Sequence, residues 1–104
     1  MSHLVNNHYI YAYLEPDGSD VPRYVGQGIM YRRNWWKYAK SENQYGVTPW
    51  LCKLIAAGKS PIVIMVAEGL SKKQADYYEI DLIEFIGRVT EGTGPLLNLS
   101  ELST

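Results

Sequence analysis

A glutamate stands within a stripe of apolar residues in the second half of the chain. Residues 71–86 have the pattern of a helix, and at about 100° per residue one of its faces carries Tyr78, Leu82, Phe85 and Ile86. Glu79 falls within that face. A carboxylate that faces a protein core loses its hydration unless a cation or hydrogen-bond donors meet it. Two interpretations are open: an ion pair or hydrogen bond that ties the helix to a sheet, and a divalent-cation ligand such as Mg²⁺ needs.

Tyrosines recur along two adjoining segments that are predicted to be strands. The segment "HYIYAYLE" carries Tyr9, Tyr11 and Tyr13, and the segment "RYVGQG" carries Tyr24. Because side chains alternate across a strand, the three tyrosines of the first segment point to one face. Tyrosine is a good sheet former, so these hydroxyl groups either belong to a structural cluster or face a site. The direction in which the side chains point does not distinguish a structural cluster from a functional site.

Positive charge is concentrated in the middle of a chain whose net charge is only -1. Residues 23–59 contain seven basic residues and one acidic residue, whereas residues 60–104 contain three basic and seven acidic residues. Cations clustered on one surface attract phosphate. A solvated helix face would have the same composition. The distribution of charge therefore does not distinguish a phosphate-binding surface from a solvated helix face.

Length and composition indicate one domain of 104 residues without a membrane segment. The longest apolar run, "PIVIMVA", is long enough for one strand only. The N-terminal residues lack the pattern of a secretory signal, and a single cysteine, Cys52, suits a reducing compartment. We therefore expect a cytoplasmic protein.

The predicted elements follow the order β-β-α-α-β-α, which indicates an α+β domain with a small, mostly antiparallel three-stranded sheet flanked by helices. Strands are predicted at residues 8–14, 21–26 and 60–68, and the third is expected to be buried. Helices are predicted at residues 30–40, from an N-cap at Thr48 to Gly58, and from a capping box at Ser71 to Ile86. The glycine-rich end is expected to pack through Leu96, Leu97 and Leu99.

Five short segments between His8 and Asn98 stand in an order shared with a known family. The segments are "YIY" at 9–11, "YVG" at 24–26, "VGQG" followed by "YR" up to Arg32, "YYEIDLIEF" around Glu79, and "GPLLNL" up to Asn98. Together they resemble the catalytic domain of the GIY-YIG nuclease family over nearly the whole chain. The resemblance places Tyr11 level with Tyr24 on neighbouring strands.

The resemblance implies a metal-dependent endonuclease that hydrolyses phosphodiester bonds in DNA, with RNA as another possible substrate. Glu79 would hold one Mg²⁺ or Mn²⁺, and Arg32 would stabilise charge on the phosphate. Tyr11 would accept a proton from the attacking water, and Tyr24 would position the water or the phosphate. Asn98 completes this set, where it would hold the C-terminal segment or a substrate oxygen. The residues expected to contact nucleic acid are Gln27, Arg33, Trp36, Lys37 and Lys40.

The chain departs from the family pattern at three positions, and these departures keep other functions open. Tyr9 replaces a glycine, Gln27 replaces a lysine of many relatives, and Trp36 replaces a histidine of some relatives. One alternative is a catalytically weak or inactive module that binds nucleic acid, and another is a protein-interaction domain. The family's catalytic domain usually depends on an appended binding domain, so a homodimer, an appended DNA-binding partner and a stand-alone, weakly selective nuclease are all open.

Overall fold

A three-stranded antiparallel sheet lies at the centre of the computed structural model, which describes residues 7–29, 32–38 and 46–100. The strands are β1 (His8–Leu14), β2 (Pro22–Gly28) and β3 (Ile62–Leu70), in the spatial order β2-β1-β3. The helices are α1 (Thr48–Ala56) and α2 (Lys72–Ile86), with short 3₁₀ helices at Arg32–Tyr38 and Val89–Glu91. The predicted α+β class with a small antiparallel sheet is therefore confirmed.

The register between β1 and β2 decides which tyrosines are neighbours. Tyr11 pairs with Gly26, and Tyr13 pairs with Tyr24. The expectation that Tyr11 is level with Tyr24 is therefore wrong by two residues. Hairpin register depends on the length of the connecting loop and on irregularities in the ladder. Here the ladder shifts between Tyr13 and Leu14, next to the loop.

The two faces of the sheet carry different clusters of buried side chains. One face holds Tyr9, Tyr11, Tyr13 and Tyr24, which pack with Val47 and Leu51. The other face holds Ile10, Ala12 and Val25, which pack with Ala75, Ile83 and Leu96. The first set is called the tyrosine cluster below. Because strand side chains alternate, the tyrosine cluster and α2 lie on opposite faces of the sheet.

β3 is an edge strand, and the prediction that it is buried is wrong. It pairs with β1 alone among the described residues. Ile62, Ile64 and Met65 are each more than a third exposed. A run of apolar residues predicts a strand but does not say whether its outer edge is covered. That depends on which elements cover the strand, because β2 is an edge strand as well and is nevertheless buried, whereas the side chains of β3 pack against the two clusters only in part.

The ends of the helices follow the capping signals closely, with one shift. The Ser71 hydroxyl accepts the Gln74 N–H at 3.1 Å, and the Gln74 side chain accepts the Ser71 N–H at 2.9 Å, so the predicted capping box is confirmed. Gly87 ends α2 with a φ of 92°, a conformation that favours glycine. At α1, Val47 occupies the cap position without a side-chain bond, and Thr48 is already helical. The predicted N-cap at Thr48 is therefore one residue too late.

Two helical predictions differ from the structure in other respects. The helix predicted at residues 30–40 is a 3₁₀ helix in its described part, Arg32–Tyr38, and residues 30, 31, 39 and 40 lie outside the described residues. The apolar face predicted for α2 is rotated, because Phe85 is 88% exposed and Tyr78 is also exposed. The small side chain of Ala75 lets α2 approach the sheet on the side of Ile83 instead.

No helix in the described ranges is long and apolar enough to cross a membrane.

The C-terminal segment packs as expected through Leu96, which is buried, whereas Leu99 is exposed. This segment runs along the outer edge of β2, where the Leu97 N–H donates to the Arg23 carbonyl at 2.6 Å.

Candidate functional site

Glu79 is completely buried, as its place in an apolar stripe predicts. It lies one helical turn from both Ala75 and Ile83, the two residues that pack α2 on the sheet. Residues four apart share a helix face, so the Glu79 carboxylate reaches the sheet. There Gln27 of β2 meets it, and Gln27 Nε2 donates a hydrogen bond to Glu79 Oε1 at 2.7 Å.

Gln27 connects Glu79 to two further charged residues of α2. Its Nε2 also donates to Asp76 Oδ1 at 2.7 Å, while its Oε1 accepts a hydrogen bond from Lys72 Nζ at 3.3 Å. Lys72 Nζ donates to Asp76 Oδ1 as well, at 2.6 Å. The opposite orientation of the amide would set its oxygen against two carboxylates, so these partners determine the orientation. Gln27, Lys72, Asp76 and Glu79 are called the Gln27 network below.

The Gln27 network runs from the protein interior to the surface. The hydrogen bond from Lys72, followed by the one from Gln27, holds the pKa of Asp76 below its usual value of 3.8. Asp76 is therefore ionised at neutral pH. The Lys72 and Asp76 side chains are 51% and 33% exposed, so water screens this ion pair and it adds little stability. The network thus presents a buried carboxylate at one end and a solvated ion pair at the other.

The tyrosine cluster is a packed group of rings on the opposite face. Tyr11 and Tyr13 have ring centroids 5.3 Å apart, and Tyr13 stacks on Tyr24 at 5.5 Å. Trp35 closes the group, 5.9 Å from the Tyr24 ring. Such arrangements are typical of aromatic cores. Tyr11 is completely buried, and Tyr24, at 9% exposure, is the most accessible of the four clustered tyrosines.

Tyr13 has a structural role within the tyrosine cluster. Its hydroxyl accepts the Trp36 backbone N–H at 3.3 Å, which ties the 3₁₀ helix to the sheet. Burial raises the pKa of Tyr13 well above its ordinary value of 10.0, and the hydrogen bond from Trp36 opposes this only in part. Burial therefore disfavours the phenolate form of Tyr13.

Gly26 has a steric reason to be glycine. It lies directly opposite Tyr11 on the neighbouring strand, and a Cβ atom there would be 2.5 Å from both Cζ and Oη of Tyr11. Ordinary contacts between carbon atoms are about 3.5–4.0 Å. The glycine of the "YVG" segment thus makes room for the aromatic ring of the "YIY" segment.

Asn98 attaches the C-terminal segment to the outer edge of β2. Its Oδ1 accepts the Val25 N–H at 3.0 Å, and its Nδ2 donates to the Val25 carbonyl at 2.7 Å. The side-chain amide thereby takes the place of a further strand and covers a sheet edge. Both polar atoms bind the backbone and the residue is buried. These hydrogen bonds hold the C-terminal segment on β2, which is one of the roles expected for Asn98, and a role in catalysis stays a prediction.

The described residues that were expected to contact nucleic acid have different environments. Gln27 is only 1% exposed and donates hydrogen bonds to two carboxylates, and a direct contact with nucleic acid stays a prediction for it. Trp36 is partly buried against the tyrosine cluster, with the exposed Lys37 Nζ 6.0 Å from its ring centroid. The Arg33 side chain and the whole of Lys40 lie outside what the structure describes.

The predicted catalytic residues are divided between the two faces of the sheet. Tyr11 and Tyr24 belong to the tyrosine cluster, whereas Glu79 extends from α2 on the other side. The backbone of Arg32 begins the first 3₁₀ helix, and its side chain is not described. The structure therefore brings Glu79 together with Gln27 rather than with the two tyrosines.

The sequence interpretation missed Asp76 and Lys72 as neighbours of Glu79. Asp76 precedes Glu79 by three residues and Lys72 precedes it by seven, and both spacings return to one side of a helix. This spacing is the signal that could have identified them. Their connection through Gln27 could not be identified in the same way, because it depends on the packing of α2 against β2.

The chemistry of the donor set fits a hard divalent cation with few protein ligands. No group of three or more His, Cys, Asp or Glu side chains able to hold a metal ion is present within residues 7–29, 32–38 and 46–100. Mg²⁺ often binds through one or two carboxylates and keeps water and phosphate oxygens as its other ligands. Glu79, with Asp76 beside it in the Gln27 network, supplies oxygen donors of that kind.

The fold and the site define a small α+β domain with a buried carboxylate held between a helix and a sheet. Comparisons of the chain with protein-family models, with curated proteins and with solved structures found no match. The family resemblance therefore depends on the sequence segments quoted above.

Proposed function

We propose that the protein is a metal-dependent endonuclease of the GIY-YIG type that hydrolyses phosphodiester bonds in DNA. The observation that carries this proposal is the complete burial of the Glu79 carboxylate on the sheet side of α2. An apolar residue of similar size in a buried position is often neutral or stabilising compared with a charged one. A catalytic use of Glu79 gives a reason for a carboxylate at this position.

In this proposal, each residue of the set has a defined task. Glu79 holds one Mg²⁺ or Mn²⁺, and such a cation, when bound, neutralises phosphate charge and acidifies a bound water. Arg32 donates to phosphate oxygens through its planar guanidinium group. Tyr24 positions the water or the phosphate, since it is more accessible than Tyr11. The Tyr11 hydroxyl is the group assigned to accept a proton, and its burial requires that the substrate complex opens a path to it.

The proposed location, substrate and partners of this activity are based on the sequence. The protein acts in the cytoplasm on DNA, or on RNA of suitable geometry. A homodimer or an appended DNA-binding partner supplies the affinity that the chain's net charge of -1 does not. The exposed Lys37 beside Trp36 is the described part of the proposed contact surface.

A second candidate function is a module that binds nucleic acid without cutting it. The observation that favours it is the division of Tyr11 and Glu79 between opposite faces of the sheet, together with the complete burial of Tyr11. Catalysis by a positioned base requires it to reach the reacting proton within about 2.6–3.2 Å or through one water. A module that only binds needs no such convergence.

Cleavage of supercoiled plasmid with Mg²⁺, with Mn²⁺ and with excess chelator separates these candidates. The endonuclease proposal expects nicked or linear products with either metal and none with chelator. It also expects Glu79→Gln to abolish cleavage while circular dichroism and DNA binding remain as in the wild type. Glu84→Gln is the matched control, because Glu84 is an exposed carboxylate on the same helix.

Each other outcome points to a different function. Normal Mg²⁺-dependent cleavage by Glu79→Gln would remove Glu79 from the site and with it the proposed mechanism. Salt-sensitive DNA binding without cleavage by the wild type would establish the binding module. The absence of both activities would leave a protein-interaction domain whose tyrosines are structural.

A further inference from the structure

We propose that Gln27 is a positioning residue that orients the Glu79 carboxylate for a divalent cation without competing with that cation for charge. The inference rests on the proposed function of Glu79 as the cation ligand. The observations that support it are the hydrogen bonds of the Gln27 network, which join Gln27 on β2 to the other three residues on α2.

The contact between Gln27 and Glu79 limits the movement of the carboxylate. The last torsion of a glutamate side chain has a broad energy minimum, so an unrestrained carboxylate would rotate. Gln27 Nε2 holds Glu79 Oε1 at 2.7 Å, and Gln27 itself belongs to the paired strand β2. The position of the carboxylate is thereby defined relative to the sheet rather than to α2 alone. A carboxylate has about four lone-pair sites, so one hydrogen bond from Gln27 does not by itself prevent it from binding a cation.

Lys72 keeps the Gln27 amide in the orientation that this role requires. Its ammonium group donates to Gln27 Oε1 at 3.3 Å, so the amide nitrogen turns toward Asp76 and Glu79. A lysine in place of Gln27 would set a second ammonium group against the same two carboxylates. The neutral amide supplies the hydrogen bonds, and two acidic side chains, Asp76 and Glu79, stand beside the single amine group of Lys72. An excess of negative charge favours the entry of a cation.

Hydrogen-bond donors behind a ligating carboxylate have measurable effects on metal binding. Replacing such groups typically weakens metal affinity or activity by about 10–100-fold. Gln27→Met keeps the length of the side chain and removes the hydrogen bonds to Asp76 and Glu79 and the one from Lys72. We expect the Kd for Mn²⁺, measured by calorimetry on the full chain, to increase at least about tenfold. We expect kcat for plasmid cleavage to fall while the KM for DNA changes little.

Gln74→Met is the matched control, because it makes the same substitution at a glutamine that caps α2 without contacting Glu79. Gln74→Met removes one hydrogen bond at the start of α2. It therefore shows how much the Mn²⁺ affinity falls when the helix is destabilised but the Gln27 network is intact. Unchanged Mn²⁺ affinity in Gln27→Met, or an equal loss in both variants, would overturn the positioning role. Failure of the wild type to bind Mn²⁺ would overturn the proposed function of Glu79 and this inference together.

A second measurement uses the wild-type protein and does not depend on how Gln27→Met folds. Nuclear magnetic resonance of the Gln27 side-chain amide is followed during a titration with diamagnetic Mg²⁺. The proposal expects the amide proton signals to shift as the cation binds and the protons to stay protected from exchange with solvent. Signals that do not move at saturating Mg²⁺ would show that Gln27 does not hold the cation ligand.

Discussion

The substitution Gly26→Ala tests why a glycine follows the Tyr24-Val25 pair. An added Cβ would lie 2.5 Å from Cζ and Oη and 2.9 Å from Cε1 of Tyr11. The first two distances are about 1 Å inside the optimal carbon–carbon separation of about 3.5–4.0 Å. The ring has little room to move away, because Tyr11 is completely buried and its centroid lies 5.3 Å from Tyr13 and 6.2 Å from Tyr24.

The expected loss of stability lies at the upper end of the range for overpacked cores. Such substitutions cost about 1–3 kcal/mol, and the enclosed ring places Gly26→Ala near 3 kcal/mol. A domain of this size loses roughly 4–8 °C in Tm per kcal/mol, so the Tm should fall by at least about 10 °C. Urea unfolding followed by tryptophan fluorescence, together with thermal unfolding by circular dichroism, measures both quantities.

A double-mutant cycle assigns the loss to one contact. In a Tyr11→Leu background the clashing ring atoms are absent, so Gly26→Ala should cost less than about 1 kcal/mol there. In a Tyr13→Leu background a larger part of the loss should persist than in the Tyr11→Leu background, because Tyr11 is still opposite Gly26 and the smaller leucine gives its ring only some room to move. An equal loss in the Tyr11→Leu and Tyr13→Leu backgrounds would refute the steric explanation.

Three further predictions follow from the hydrogen bonds and the burial of the site. Tyr11→Phe and Tyr24→Phe should each slow plasmid cleavage at least about tenfold, and full activity of both would make these hydroxyl groups structural. Asn98→Ala should lower the free energy of unfolding by about 1–3 kcal/mol and speed hydrogen exchange at the Val25 amide, whereas unchanged exchange would mean that another group covers β2. The pKa of Asp76 is lowered, mainly by Lys72, so its contribution to stability is present above pH 3.8 and is lost as the pH falls further. Lys72→Met should therefore reduce the loss of unfolding free energy between about pH 4 and pH 2, and an unchanged pH dependence in urea titrations would contradict this cause.

Local signals in the sequence predicted the elements of this protein well. The alternation of tyrosines predicted β1 over residues 8–14, and the Ser71 capping box with Gly87 predicted α2 to within one residue of both ends. These features depend on residues close together in the chain, so they need no knowledge of tertiary contacts. The burial of Glu79 could be predicted in the same way, from the pattern of its own helix.

The tertiary structure alone decided how the elements meet. The register that pairs Tyr13 with Tyr24 depends on the loop and the ladder shift of the hairpin, and both involve residues on two strands. The exposure of β3 depends on which elements pack over it, because β2 is an edge strand too and is nevertheless buried. Helical periodicity predicted an apolar face for α2 but not its rotation, because the neighbouring sheet determines which side chains are covered.

The same distinction separates the two halves of the candidate site. The carboxylate of Glu79 is a property of one helix, and its unusual position is visible in the sequence. The donor that binds it, Gln27, lies 52 residues away on β2. The sequence predicted that Gln27 contacts nucleic acid, and only the packing of α2 against β2 places it beside Glu79. A hydrogen bond between distant elements depends on distances that hydrophobic packing sets. The sequence therefore determined that a buried carboxylate needs a partner, and the tertiary structure decided that the partner is a neutral amide.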